Sequence, residues 1–244
     1  MIDYLGVFIV LALLAEILGT VGGFGSSLFF VPIAGYFLDF HSILGITAAF
    51  HICCNVTKIT LFRHGFNKKL ILSVGIPAVI FVTAGAMLSR VFNNEALQFA
   101  LSVFLIVIGL FLILFKNLKL RPTLFNSITG GAFSGFTAGL LGSGGAVRGL
   151  TLAAFNIEKN VFIATSAVID LGVDLSRGVV YFSNGYIHHH DLYLIVILFF
   201  VSIAGTYAGK KLLRYFSESQ FRYFTLSLIL GIGLAGLFHL ASAV

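Results

Sequence analysis

The chain has 244 residues, of which 59% are hydrophobic and only 10% charged, with a formal net charge of +6. A soluble domain carries about a quarter charged residues, so this composition cannot clothe a water-facing surface. It excludes a soluble enzyme or a nucleic-acid-binding module and leaves an all-α, multi-pass membrane protein whose solvent is the lipid bilayer.

The first apolar run, 4–21, carries Asp3 ahead of it and no basic n-region, so it does not read as a cleaved signal peptide. Glu16 lies inside it, and it runs into "GTVGGFGSSLFF", which begins at Gly19. Gly22, Gly23, Gly25, Ser26 and Ser27 crowd this turn, and the following apolar run, 28–38, is too short to span. The run 43–62 carries His51, Asn55 and Lys58 at i, i+4, i+7. It also holds Cys53 and Cys54, which point about 100° apart on a helix and read as small buried hydrophobes rather than a disulfide or metal pair. A basic loop, 63–69, leads to runs at 70–90 and 97–115, and a second basic loop follows at 116–121.

The run 124–141 ends in "GLLGSGGAVRGL", where Gly142, Ser143, Gly144, Gly145 and Arg148 cluster, followed by a second short run, 146–155. The run 161–182 carries Asp170, Asp174 and Arg177, again at i, i+4, i+7. The loop 183–191 has no Lys or Arg, and its His188–His190 triplet reads as a solvated loop start, since consecutive residues share no helix face. Runs at 192–213 and 221–240 close the chain, with Lys210, Lys211, Arg214 and Arg222 between and beside them.

The chain repeats itself. Gly19, Gly22 and Gly25 match Gly139, Gly142 and Gly145 at an offset of 120 (142 minus 22), and "RHGF" at 63–66 matches "SNGY" at 183–186 at the same offset. The order points to a duplication, with halves at 1–121 and 122–244. Charge sets the orientation. If each glycine-broken pair crossed once as a long helix, 183–191 would be cytoplasmic and the basic stretch 210–222 outside, against the positive-inside rule. If each pair is instead a re-entrant hairpin, every basic loop falls on the cytoplasmic side of the cell membrane, both termini lie outside, and each half has three spanning helices. The halves are then inverted, a recurring secondary-transporter design. Glycine lets the helix end and turn at membrane depth, and the turn presents helix N-terminal N–H groups that suit an anion.

A charge inside a spanning segment costs about 2.5–3.5 kcal/mol on insertion scales. The two polar stripes therefore predict one shared cavity, with Gly22, Gly23, Gly25, Ser26, Ser27, Gly142, Ser143, Gly144, Gly145 and Arg148 at its hairpin tips and His51, Asn55, Lys58, Asp170, Asp174 and Arg177 on its walls. Arg177 has Asp174 one turn away, whereas Lys58 has no acid on its own helix and is expected to be the freer cation, with Arg148 in reserve. Glu16 is the candidate carrier of a coupling proton or cation. No nucleotide, zinc-protease or serine-hydrolase motif is present, and no cofactor or metal is expected.

Two tips, "GTVGGFGSSLFFVP" and "GLLGSGGAVRG", and two glycine-aromatic loops, "RHGFNKK" and "NGYIHHHD", in a duplicated chain of this length resemble the TauE/SafE family of membrane transporters, the sulfite exporters. The resemblance implies secondary transport of a small sulfur-containing anion such as sulfite, a sulfonate or thiosulfate. The competing reading is an intramembrane lipid-modifying enzyme using His51 or Asp170, which requires an acid-base pair beside a nucleophile. An assembly or sensor protein would need large soluble loops, and the loops here are only a few residues long. The sequence leaves the direction of transport and the oligomeric state open.

Overall fold

A computed structural model describes residues 4–22, 25–62, 65–115, 120–155, 157–213, 215, 227 and 229–238. The expectations for Gly23, Arg63, Lys116, Lys119, Arg214 and Arg222 lie outside the described residues, as do 221–226, 228, 239 and 240 of the run 221–240. Among the described residues the chain is all-helical. The helices are α1 (Leu5–Gly22), α2 (Ser27–Ala34), α3 (Phe40–Leu61), α4 (Lys68–Ser89), α5 (Asn94–Leu114), α6 (Leu124–Leu141), α7 (Gly145–Ala154), α8 (Lys159–Ser183), α9 (Leu192–Leu212) and α10 (Ile229–Phe238). A 3-10 turn, His189–Asp191, precedes α9.

Helix starts follow from short polar side chains. Asp39, Asn67, Asn93 and Thr123 each accept a hydrogen bond from the amide three residues on, those of Ser42, Leu70, Ala96 and Asn126, and so satisfy a donor that the helix leaves orphaned. By length and apolarity α1, α3, α4, α5 and α9 can cross a membrane. Helix α8 has 25 residues but carries the charged stripe, which lowers its hydropathy below that of the others.

Both glycine breaks are hairpins. A side chain on Gly19 would collide with the backbone of Ser26, and one on Gly144 would collide with the Ser134 carbonyl, so α2 folds back on α1 and α7 on α6. The turns contain the left-handed glycines Gly25 (φ 83°) and Gly142 (φ 72°), a conformation that disfavours any Cβ. The two turns differ in detail: Gly142 stands outside α6 as its left-handed cap, whereas its expected equivalent, Gly22, is the last helical residue of α1. The hairpins are lopsided. At 1.5 Å per residue the long arms measure about 27 Å and the return arms about 12–15 Å. Leu28, Phe29, Phe30 and Val31 of α2 and Ala146, Val147 and Leu152 of α7 are buried in protein, the condition under which broken helices are tolerated at membrane depth.

The helices pair in a repeating pattern. Helix α6 packs along α4, and α1 packs along α9. Gly131, Gly135 and Gly139 sit directly on the carbonyls of Val74, Ala78 and Val82, so α4 and α6 run parallel at backbone contact. Gly205 and Gly209 meet Glu16 and Thr20 in the same parallel sense. Gly85 of α4 lies on Phe136 as Gly205 lies on Glu16, both at an offset of 120 (205 minus 85, 136 minus 16). Helix α3 lies against α8. The start of α3 meets the loop after α8 (Ser42 with His188, 3.1 Å), and Phe62 packs with Ile163 at the start of α8, so these two run antiparallel.

Replacing Gly135 by Leu should force α4 and α6 apart, at a cost of about 1–3 kcal/mol or more. The expected result is a lowered melting temperature and reduced monodispersity in detergent. Gly6→Leu, at a position with open space around it, should leave both unchanged.

Candidate functional site

The antiparallel crossing of α3 and α8 brings the two polar stripes face to face. Asn55 donates to Asp174 at 2.7 Å, and Arg177 donates to Nδ1 of His51 at 3.2 Å. Lys58 and Asp170 line the same cleft, together with Gly25, Ser26, Ser27, Gly142, Gly144, Gly145 and Arg148. The hairpin turns meet here: a Cβ placed on Gly25 would stand 3.9 Å from Cα of Gly145 and 3.8 Å from Nη2 of Arg148. Ser143 is fully buried but does not line the cleft, and neither does Gly22.

Each charge in this core is paired, as the expense of an isolated ion in a bilayer requires. The Arg177 guanidinium is saturated. Its Nε donates to Asp174 at 2.8 Å and its Nη2 contacts the same carboxylate at 2.7 Å and His51, while Nη1 donates to the carbonyls of Ala138 and Gly142, each at 3.0 Å. Those carbonyls belong to the last turn and cap of α6, which leaves them without helical partners. Arg177 is thus a clamp on the end of the long hairpin arm, and all five of its N–H groups are engaged. Tyr181, one turn on, adds a hydrogen bond to the Gly139 carbonyl at 2.6 Å.

Lys58 is not the freer cation. Its Nζ lies 2.9 Å from Glu16 Oε1, an acid on α1 rather than on its own helix. Glu16 is fully buried and also accepts from Thr20 (2.9 Å), Thr206 (2.8 Å) and Ser26 (2.6 Å). The Cys54 thiol faces the same carboxylate, so of the two cysteines one belongs to the polar core, while Cys53 is half-buried.

Arg148 differs from both. It is 2% exposed, too deeply buried for a side chain anchored at a lipid interface. Its Nε donates to Ser166 at 2.9 Å and Nη1 pairs with Asp170. Among the described residues none bonds Nη2, which faces the first hairpin turn. Arg148, set between the N-termini of α2 and α7, is the cation with a donor to spare.

His51 carries a directional message. A guanidinium only donates, so Nδ1 of His51 accepts from Arg177 and the ring hydrogen sits on Nε2. Nε2 then donates to Ser26 at 3.0 Å, and Ser26 donates to Glu16. This polarity is opposite to that of a hydrolytic triad, in which the imidazole accepts the serine proton. The described residues hold no group of three His, Cys, Asp or Glu able to bind a metal.

The sequence stripe was longer than its charged members. Ser166 and Tyr181 extend it by one turn in each direction, and their spacing from Asp170 and Arg177 carries that signal. Thr206 has none, since it joins Glu16 across 190 positions.

A family model for the sulfite exporter TauE/SafE matches residues 8–236. The chain belongs to the TauE/SafE family. No curated protein and no solved structure matches it. TauE/SafE proteins are membrane transporters and not enzymes, and the reversed Ser26–His51 polarity has no catalytic role to explain.

Breaking the Glu16–Lys58 pair of this TauE/SafE protein from one side strands a buried charge. Glu16→Gln or Lys58→Met alone should cost about 3–5 kcal/mol, and the double variant should cost clearly less than the sum. Thermal unfolding of the four proteins in detergent measures the coupling, and strict additivity would mean that the pair is not formed.

Proposed function

We propose that this protein is a secondary transporter that carries a small sulfur-containing anion, of the sulfite, sulfonate or thiosulfate class, across the cytoplasmic membrane through the cleft between its two hairpin turns. The observation that carries this reading is Arg148, buried between two helix N-termini with a guanidinium nitrogen beside the opposite turn that no described residue bonds. A planar fork of donors with helix N–H groups around it matches an oxyanion that has lost its water.

Residues 1–121 and 122–244 act as inverted halves in this reading. Its support is the antiparallel crossing of α3 and α8 and the matched pairing of α6 on α4 with α1 on α9. Further support comes from the left-handed glycines Gly65 and Gly185, 120 positions apart (185 minus 65) in the two equivalent loops. Because α4 and α6 run parallel, the basic loops before them share one face, and the charge rule assigns that face to the cytoplasm. The cleft continues past Lys58 and Asp170 to Ser166 and Ile163, at the cytoplasmic end of α8. On the other side Tyr181 and Tyr186 stack with ring centroids 5.5 Å apart, and Tyr186 lies against His41. In this reading the Tyr181–Tyr186 stack closes the outer side of the site.

Flux assays in proteoliposomes with sulfite, thiosulfate, sulfoacetate and taurine test the function, and a protein that moves none of them is not this transporter. Arg148→Gln should lower flux of the accepted anion about tenfold or more. Gly145→Leu should block it while the protein still inserts. Cysteines introduced singly at Phe66 and His189 test the orientation with an impermeant thiol reagent on whole cells. Labelling is expected at 189 and not at 66, and the converse would reverse the assignment of faces.

A further inference from the structure

The cleft is electrically balanced before any substrate arrives. Arg148, Arg177 and Lys58 face Asp170, Asp174 and Glu16, one carboxylate for each cation. It is also nearly full, since the cavity is about 20 Å³, enough for a water but not for an oxyanion. An anion can therefore enter only if something moves, and it leaves an uncompensated negative charge in the membrane core unless a positive charge comes with it.

The three carboxylates are unequal in their freedom to move. Glu16 is fully buried and held by Lys58, Thr20, Ser26, Thr206 and the Cys54 thiol, and Asp174 is held by Arg177 and Asn55 with 4% of its side chain exposed. Asp170 has a single hydrogen-bonding partner among the described residues, Arg148, and its side chain is 17% exposed. It is also the one that reaches the part of the cleft running toward the cytoplasmic end of α8. The groups facing it are Lys58 and His51 from α3, Arg148 from α7, and Asp174 and Arg177 from its own helix, with Glu16 of α1 behind Lys58. Helices α4 and α6 contribute no charged side chain to the cleft.

We infer that the Asp170 carboxylate holds the substrate's place on Arg148, is displaced when the anion enters, and takes up a proton from the cleft water, so that one proton accompanies each anion. The inference rests on the transport reading above and names its coupling ion. The step makes one O–H bond on Asp170 and breaks one in a hydronium ion or buffer acid of the bulk water, relayed through the cleft, and none in the substrate. Arg148 exchanges one carboxylate for one oxyanion and keeps its charge compensated, while Asp170, now neutral, needs no cation. Glu16 keeps its carboxylate on Lys58 throughout, which moves the coupling role from α1 to α8.

Thiosulfate and ethanesulfonate, neither of which takes up a proton near neutral pH, separate a proton carried by the protein from one carried by the ligand. Calorimetric titration of the purified full-length protein, in buffers of different ionisation heat, counts protons taken up per anion bound. About one is expected for the wild type, with affinity falling by up to about tenfold per unit as pH rises. Asp170→Asn should bind about tenfold tighter at the upper end of the range, with no proton uptake and no pH slope, and Asp170→Glu should restore both. Binding without proton uptake by the wild type overturns the inference, as does sodium-dependent binding without it or uptake that survives in Asp170→Asn. If the Asn variant is not monodisperse, the wild-type proton count and pH slope decide alone. Absence of binding by sulfite, thiosulfate and ethanesulfonate alike overturns the transport reading itself.

Discussion

A buried charge in a bilayer must have its counter-charge within reach, and most of this architecture can be read as meeting that demand. Arg177 could not sit in the middle of α8 without Asp174 one turn away. Even that pair is completed only by Asn55, His51 and two carbonyls of α6. The same demand ties α1 to α3 through Glu16 and Lys58, and α7 to α8 through Arg148 and Asp170. Each ion pair is thus also a tertiary joint. Lipid supplies little hydrophobic force between helices, so such joints and close backbone packing have to hold the bundle.

The glycines do two separate jobs. In the turns, Gly25 and Gly142 permit a backbone direction that other residues resist, and this allows two helix N-termini to converge on one point. Along α6, Gly131, Gly135 and Gly139 have ordinary helical geometry and are needed for their missing side chains, which let carbonyls of α4 lie directly against them. The first job creates an anion-friendly field, and the second fixes the scaffold on which that field is aimed.

The hairpins and the facing stripes were legible because they rest on local rules: glycine clustering, short apolar runs after each cluster, and charges at i, i+4, i+7. What could not be read was which charge would meet which. Lys58 looked free because only acids on its own helix are visible along the chain, and its partner lies 42 positions away (58 minus 16). Arg148 looked secondary because its sequence neighbourhood is compatible with a lipid interface as well as with a core. Its rank follows from burial and from a nitrogen that no described residue bonds, which are properties of packing. The tautomer of His51 likewise depends on a donor 126 positions distant.

The glycine track between α4 and α6 has a mechanical consequence. Two helices in backbone contact over three turns behave as a single stiff beam, because any sliding or tilting would first have to open a seam that contains no compressible side chain. Motion has to be taken up where the backbone is compliant. Gly65 just before α4 and Gly185 just after α8 both stand in open space with left-handed backbones. They are natural pivots at opposite ends of the molecule, outside the stiff zone and clear of the charges. Stiffness in the middle and compliance at the ends allow the beam to swing as a unit.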